Sequence, residues 1–508
     1  MANDPQDAVM KLLGRPSTFG GDAVKRIDTH AASVFLGGER ALKVKRAVRF
    51  PFLDYSTLDK RKAACEAEIA VNKSFAPAIY RGVVAITRDG DGLTVGGDGE
   101  AVEWAVDMRR FDEEQTLDHA AERGEIDAQL ADALGRAVAS AHAAAPRGEG
   151  FAAALDEIIE QNDLELRGNP ELFPAAQVIV LSAATRTAYK RVRALLDARE
   201  RRGFVRRCHG DLHLGNIVLL DGVPTLFDAI EFDPKIATGD VLYDLAFLLM
   251  DLIERKLDAQ ANIVLNRYLA ETRSDEDIDA LAALPLFLSV RAAIRAKVTA
   301  ARAKGHELHR AKRDEAERSA RDYFALAQRL IAPPAPRLIA VGGLSGTGKS
   351  LLARALASDI PPAPGAVVIR SDVERKALFG AEETETLPKA AYARDVTARV
   401  YEAIAAKARR TIAAGHSAIV DAVYANPDER SAIALAGGDA AFHGLFLTAD
   451  LATRLSRVGG RKGDASDADA EVARAQEQYA LGALDWRTVD ASGTPDDTLK
   501  HARLALEA

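Results

Sequence analysis

The eight residues Gly343-Leu-Ser-Gly-Thr-Gly348-Lys349-Ser350 constrain the fold of this chain more than any others. They match the pattern G-x-x-x-x-G-K-[ST], whose chemistry works only between a strand and a helix. Both flanks are present. Arg337-Leu-Ile-Ala-Val341 reads as a short buried strand, and Leu351 to Ala357 reads as a helix. Glycines free the backbone N–H groups of Gly343, Ser345, Gly346, Thr347 and Gly348 to converge on phosphate oxygens, with the helix N-terminus adding favourable partial charge. Lys349 is expected to reach the outer phosphates, and the Ser350 hydroxyl to ligate magnesium. Downstream, helical and strand patterns alternate, which predicts a parallel α/β domain over residues 337–508.

Two more strands in this segment end at charged residues. Ser417-Ala-Ile-Val420 runs into Asp421, a carboxylate that could hold magnesium directly or through water. Val367-Val-Ile-Arg370-Ser371-Asp372 places charge at the strand end where α/β domains bind ligands, so Arg370, Asp372 and Arg375 are the candidate substrate residues. Asp372 could accept a hydroxyl proton, or could simply cap the helix starting at Val373. Arg454, Arg457 and Arg461, with Lys462, could close over the phosphates; solvated helix charges are an equally simple account.

With these residues in place, the segment resembles the small P-loop kinases related to gluconate, adenylate and zeta-toxin-type kinases. The resemblance rests on Gly343 to Ser350, Arg370-Ser-Asp372, Asp421, and the Arg-rich helix followed by Ser466-Asp467-Ala468. It implies that the Arg-rich segment is a mobile lid over ATP and that Asp372 lies beside the phosphate acceptor.

A second constellation lies near residue 211. Cys208-His209-Gly210-Asp211-Leu-His213-Leu-Gly215-Asn216 precedes a strand-like Ile217 to Leu220, a turn at Asp221-Gly222, and Thr225-Leu-Phe-Asp228. Asp211 can orient an attacking hydroxyl and take its proton, while Asn216 and Asp228 supply oxygen ligands to magnesium. A plain polar hairpin is the competing account. The order H-G-D-x-x-x-x-N resembles the aminoglycoside phosphotransferase and choline kinase group, relatives of protein kinases, and Gly239-Asp240 with Tyr243-Asp244-Leu245-Ala246 extends the match. The resemblance covers about residues 25 to 330 and implies that the later acids brace the catalytic loop.

A kinase-like lobe also needs a strand lysine paired with a helical glutamate. Lys43 is the choice, although Lys45 faces the same side at period two. Glu68 is favoured over Glu66 as its partner. Glu103 to Met108 should join the lobes where adenine binds, by analogy alone. No G-x-G-x-x-G precedes Lys43; Thr29-His30-Ala31-Ala32-Ser33 stands there instead. Arg291, Arg295 and Lys297, close together on a helix, suggest a surface for an anionic or sugar-like acceptor, with a solvated or salt-bridged helix as the alternative.

Ala332-Pro333-Pro334-Ala335-Pro336 cannot continue a helix and divides the chain. The expected domains are therefore 1–331, with a small β lobe at about 25–107 and a helical lobe at about 116–331, a linker at 332–336, and 337–508. At 508 residues, with 48% apolar and 28% charged side chains, both can bury substantial cores. A net charge of −8 argues against nucleic acid or anionic membrane as a partner. Two isolated cysteines, no signal-peptide pattern at the start and no run of about 18 apolar residues point to a reducing cytoplasm.

The whole resembles bacterial bifunctional proteins that join an aminoglycoside-phosphotransferase-like domain to an ATP-binding P-loop domain. This implies an α+β two-lobed protein-kinase-like fold followed by an α/β P-loop NTPase fold with a parallel sheet. It further implies ATP and magnesium as cofactors and small-molecule hydroxyls as phosphate acceptors. Rival readings make one domain a nucleotide sensor for the other, direct the P-loop chemistry to a nucleic-acid end or nucleotide sugar, or leave a scaffold that only binds ATP. The acceptors and the oligomeric state do not follow from these residues.

Overall fold

The computed structural model describes residues 6–50, 53–90, 92–304, 309–460 and 465–507. The chain forms two compact units: residues 1–158 with 196–251, and residues 159–195 with 252–508.

In the first unit, alternating apolar and polar residues around glycine turns build an antiparallel six-stranded sheet. Its order is Lys25–Asp28, Ala32–Gly37, Arg40–Lys45, Ala101–Arg109, Tyr80–Asp89 and Gly92–Val95. Within it a hairpin pairs Ser33 with Val44 and Gly37 with Arg40. Thr29 to Ala32 forms the tight turn before it, closed by the Thr29 N–H on the Ala32 carbonyl at 2.8 Å. The Leu58–Phe75 helix starts where the Thr57 hydroxyl accepts from Lys60 N, and it ends before Pro77. A second hairpin joins Ile217–Leu220 to Val223–Leu226 through Asp221 and Gly222, both at positive φ (53° and 81°). Asp-Gly tolerates that left-handed pair, and such a turn matches the twist of the strands. The apolar helix Val241–Glu254 is nearly all buried. Each Leu or Phe buried there contributes about 1.5–3 kcal/mol, so this helix is a rigid floor for the loop above.

The second unit carries a five-stranded parallel sheet in the order Val367–Arg370, Ala418–Asp421, Arg337–Gly343, Ala441–Thr448 and Arg487–Asp490. Ile339, Val341, Ile419, Leu445 and Leu447 form its core with Leu352 and Leu356 of the Lys349–Ala357 helix. Continuous apolar strands of this kind are what a sheet covered on both faces requires. The helices Asp258–Thr272, Leu284–Ala303 and Arg310–Ile331, expected in the helical lobe before the prolines, lie in this same compact unit. Among the described residues no helix is long and apolar enough to cross a membrane.

Candidate active sites

The first site is assembled from four stretches of the first unit. Strand pleating turns Lys43 and Lys45 to one face, and both meet the same carboxylate. Lys43 Nζ lies 2.9 Å from Glu68 Oε1, and Lys45 Nζ lies 2.5 Å from Glu68 Oε2. The two lysines differ in their second partner. Lys43 reaches Asp228 Oδ1 at 2.7 Å, whereas Lys45 reaches Glu231 at 2.5 Å and stacks 5.5 Å from the centre of the Tyr55 ring. Glu68 is fully buried, while Glu66 is exposed and pairs weakly with Lys62, so Glu68 is the lysine partner.

Electrostatics follow from this packing. Burial opposes the Lys43 charge, but Asp228 and Glu68 outweigh it and hold the ammonium well above its ordinary pKa. In return Lys43 outweighs burial at Asp228 and keeps that carboxyl below the usual range. Asp228 has a positive φ of 59°, and its N–H donates to the Tyr80 hydroxyl at 3.1 Å. Asn72 grips the next residue from both sides, Oδ1 accepting from Ala229 N at 2.7 Å and Nδ2 donating to Ala229 O at 3.0 Å. Neither Tyr80 nor Asn72 was marked by the sequence, because their role is visible only once the hairpin is folded.

The loop carrying Asp211 is held from below. Asp244 accepts from His209 N at 3.3 Å and Gly210 N at 2.8 Å, and His142 Nε2 lies 3.1 Å from it. Asp251 accepts from Leu214 N at 2.9 Å. Asp244 thus braces the loop as the resemblance implied. Asp240 instead makes a two-point pair with Arg199 at 2.6 and 2.9 Å. Burial pushes the His209 pKa down, so the ring that faces Phe227 O at 2.8 Å is a neutral support. Asn216 Nδ2 donates to Asp211 O at 2.9 Å and to Asp211 Oδ2 at 3.1 Å. That leaves the Asn216 carbonyl oxygen and the Asp228 carboxylate as hard oxygen donors, a set that fits magnesium.

The second site lies in the second unit, at the C-terminal ends of its parallel strands. The phosphate loop connects Arg337–Gly343 to the helix beginning at Lys349, and Gly346 and Gly348 adopt φ of 89° and 90°. Ser350 Oγ donates to Asp421 Oδ2 at 2.5 Å, bringing two oxygen donors together beside Lys349; this pair also fits magnesium. A cleft of about 1390 Å³ opens here, lined among others by Lys349, Ser350, Asp372, Arg375, Asp421 and Arg457. Arg370, not Asp372, is the N-cap of the Ser371–Leu378 helix, so the capping alternative for Asp372 is corrected. Burial first, and then the charge on Asp421, raise the Asp372 pKa above its ordinary value.

Other expected site residues are placed differently. Arg454 is 1% exposed and donates from Nε to Ser345 O at 2.9 Å and from its guanidinium to Ala473 O at 3.0 Å, with Glu477 as ion partner. It therefore buttresses the phosphate loop from behind rather than facing the phosphates. Arg457 lines the cleft but holds Ala491 O and Gly493 O, each at 2.7 Å. Arg461 and Lys462 lie outside the described residues. Arg291 is 4% exposed, Lys297 pairs with Glu165 at 3.2 Å, and Arg295 stacks on Tyr323 at 5.6 Å. Arg291 and Lys297 are thus buried among helices, and Arg295 is half-buried. Asp467, quoted only as part of a motif, instead proves a hub. It receives Lys376 at 3.1 Å, Leu387 N at 3.0 Å and the Tyr392 hydroxyl at 2.5 Å.

Gly346 yields a direct prediction. A Cβ there would lie 2.6 Å from Arg454 O and 2.9 Å from Arg454 Cα, on a backbone that already favours glycine. Gly346→Ala should reduce nucleotide affinity at the second site at least about tenfold by displacing the loop. Calorimetric titration with a nonhydrolysable ATP analogue, with Lys349→Ala as reference, measures it; unchanged binding would refute the packing argument.

Comparisons with known proteins match the two segments that carry these sites. A family model described as a phosphotransferase enzyme family matches residues 56–284, and one described as an AAA domain matches residues 338–481. Protein Rv2004c of Mycobacterium tuberculosis is 30% identical over 491 residues, covering 94% of each chain, and Mb2027c of Mycobacterium bovis matches equally. Among solved structures, a choline/ethanolamine kinase family protein from Mesorhizobium loti aligns at 16% identity. It covers 64% of this chain and 99% of its own, with a TM-score of 0.39. A gluconokinase from Sinorhizobium meliloti aligns at 20% identity, covering 34% and 95%, with a TM-score of 0.25. With nearly the whole length shared with these mycobacterial relatives, and a phosphotransferase-family model and an AAA-domain model matching successive segments, the chain belongs to the family of phosphotransferases that join an aminoglycoside-phosphotransferase-type domain to a P-loop kinase domain.

Proposed function

We propose that each site transfers the terminal phosphoryl group of ATP to a hydroxyl of a small molecule. The observation that carries this reading is Lys43, which lies within 3 Å of both Glu68 and Asp228 although the three are far apart in sequence. Such an arrangement is what a kinase needs to place ATP phosphates beside a metal carboxylate. At the first site Asp211 accepts the proton as the acceptor oxygen bonds to the γ-phosphorus and the bond to the β-phosphate oxygen breaks, releasing ADP. At the second, Asp372 takes that proton and Lys349 steadies the phosphates. Asn216 with Asp228, and Ser350 with Asp421, are the donors that would hold magnesium, which when bound neutralises charge on the phosphates.

Arg375 supports an acceptor for the second site that carries an anionic group as well as a hydroxyl. Its guanidinium is 6% exposed and lines the cleft, donating to Ala391 O at 2.7 Å and Thr397 Oγ1 at 3.3 Å. Among the described residues it has no carboxylate partner, and its Nε has no hydrogen bond. A cation buried without a counterion favours a ligand that brings one.

Two measurements test the reading. Transfer from labelled ATP is assayed across neutral sugars, sugar acids, aminoglycosides and nucleosides; ATP hydrolysis without any phosphorylated acceptor would contradict it. Asp372→Asn should lower second-site kcat about 10²–10⁴-fold. It should also raise stability at neutral pH. The folded pKa of Asp372 lies above its unfolded value, so its contribution to stability is present below the unfolded pKa and is lost as pH rises through the folded one. Removing the ionisable carboxyl recovers that loss, and the gain should vanish in acid. A thermal-unfolding series against pH reads it, and a gain independent of pH would show that Asp372 is not the strained group.

A further inference from the structure

Strand Val367–Arg370 is the edge of the parallel sheet, so its outward backbone groups lack a strand partner. The Asp258–Thr272 helix provides one with side chains. Asn262 Nδ2 and Asn266 Nδ2 donate to Ala366 O at 3.0 and 3.1 Å, and Asn266 Oδ1 accepts from Val368 N at 2.7 Å. Gly365 permits the approach, because a Cβ there would lie 2.7 Å from Asn262 Nδ2. The helix is thereby locked to the strand that presents Arg370 and Asp372.

The next residue of the same helix extends this contact toward the reacting end. Arg267 lies 3.1 Å from Glu383 Oε2. The other oxygen of Glu383 faces two more arginines, Arg370 at 3.5 Å and Arg354 of the phosphate-loop helix at 3.7 Å. Arg370, 5% exposed, stands between Glu383 and Asp421, whose Oδ2 is 3.5 Å from Arg370 Nε and also accepts from Ser350. Glu383 and Asp421 therefore share one buried guanidinium. A carboxylate whose charge is taken by an arginine is a weaker donor to a cation, so this sharing sets how available Asp421 is.

We propose that Glu383 is a positioning residue of the second site: held by Arg267, it draws Arg370 away from Asp421 and keeps that carboxylate available to the magnesium of magnesium-ATP. The inference rests on the magnesium-ATP reading of that site. Arg267 belongs to the helical segment before the prolines, so the helical segment tunes the P-loop chemistry through one ion-pair chain.

The test uses the full chain carrying Asp228→Asn, which removes the metal carboxylate of the first site. Binding of a nonhydrolysable ATP analogue is titrated against magnesium by calorimetry. Glu383→Gln should raise the half-saturating magnesium concentration about tenfold while analogue affinity at saturating magnesium changes less than about twofold. Arg267→Ala should shift it in the same direction and Arg267→Lys should restore it, which keeps the test alive if Glu383→Gln fails to fold. Asn266→Ala should lower the unfolding temperature without moving the magnesium midpoint. Folded Glu383→Gln and Arg267→Ala chains with an unchanged midpoint would overturn the proposal while leaving the nucleotide reading intact. A parent chain that binds no analogue, or binds it independently of Lys349, would remove both.

Discussion

Asp211→Ala should lower kcat for phosphoryl transfer at the first site about 10²–10⁴-fold while nucleotide affinity changes little. Asp244 and Asp251 brace the backbone of the loop and Asp228 pairs with Lys43, whereas the Asp211 carboxylate accepts from Asn216 Nδ2 at 3.1 Å. On the proposed roles, its removal would delete the proton acceptor and leave the Lys43, Glu68 and Asp228 set in place. The loop should keep its shape because its conformation is fixed from below, through His209, Gly210 and Leu214. Steady-state kinetics with the acceptor identified in the panel, together with ATP-analogue binding, would separate the two effects. A proportional loss of nucleotide binding would instead mean that Asp211 serves the metal or the loop.

Glu68→Ala gives the largest expected loss of stability. The carboxylate is fully buried and each oxygen carries one lysine, and Lys45 is itself only 3% exposed on its side chain. Deleting it leaves two ammonium groups facing one another in low dielectric. Removing one partner of a buried pair costs about 3–5 kcal/mol. Glu231 and Asp228 remain to offset part of the charge, which places the effect within that range rather than above it. The unfolding midpoint of the first unit should fall by roughly 10 °C. The direction with pH follows from Lys43, whose folded pKa is raised well above its unfolded value. Its contribution to stability is fully present below the unfolded lysine pKa and is lost as pH rises through the folded one. The difference between wild type and Glu68→Ala should therefore persist at neutral pH and shrink only in strong alkali. A midpoint within about 2 °C of wild type would show that Glu231 and Asp228 suffice.

The legibility of this chain divides along physical lines. The phosphate loop, the Asp211 loop and the hairpin to Asp228 are local, with required residue types at fixed spacing, and all three stand where the sequence places them. Lys43 and Lys45 could not be separated by a period-two argument, and both do meet Glu68; only the distant Asp228 and Glu231 tell them apart. The arginines were the weakest reading. Guanidinium groups can bury themselves against backbone carbonyls, as Arg454 does on Ser345 O, and nothing in local spacing distinguishes that from facing a phosphate. Glu383, Asp467 and Asn266 gain their roles from partners about 80 to more than 100 residues away, so no local pattern marks them.

The central claim is that one chain holds two separate phosphoryl-transfer sites. It is tested most directly by following labelled ATP in wild type, Asp211→Ala and Lys349→Ala, each with the full acceptor panel. Two labelled products, one lost only in Asp211→Ala and the other only in Lys349→Ala, are the predicted result. A single product lost in one variant and merely altered in rate or affinity in the other would contradict it, and would make the second nucleotide site a regulator of the first.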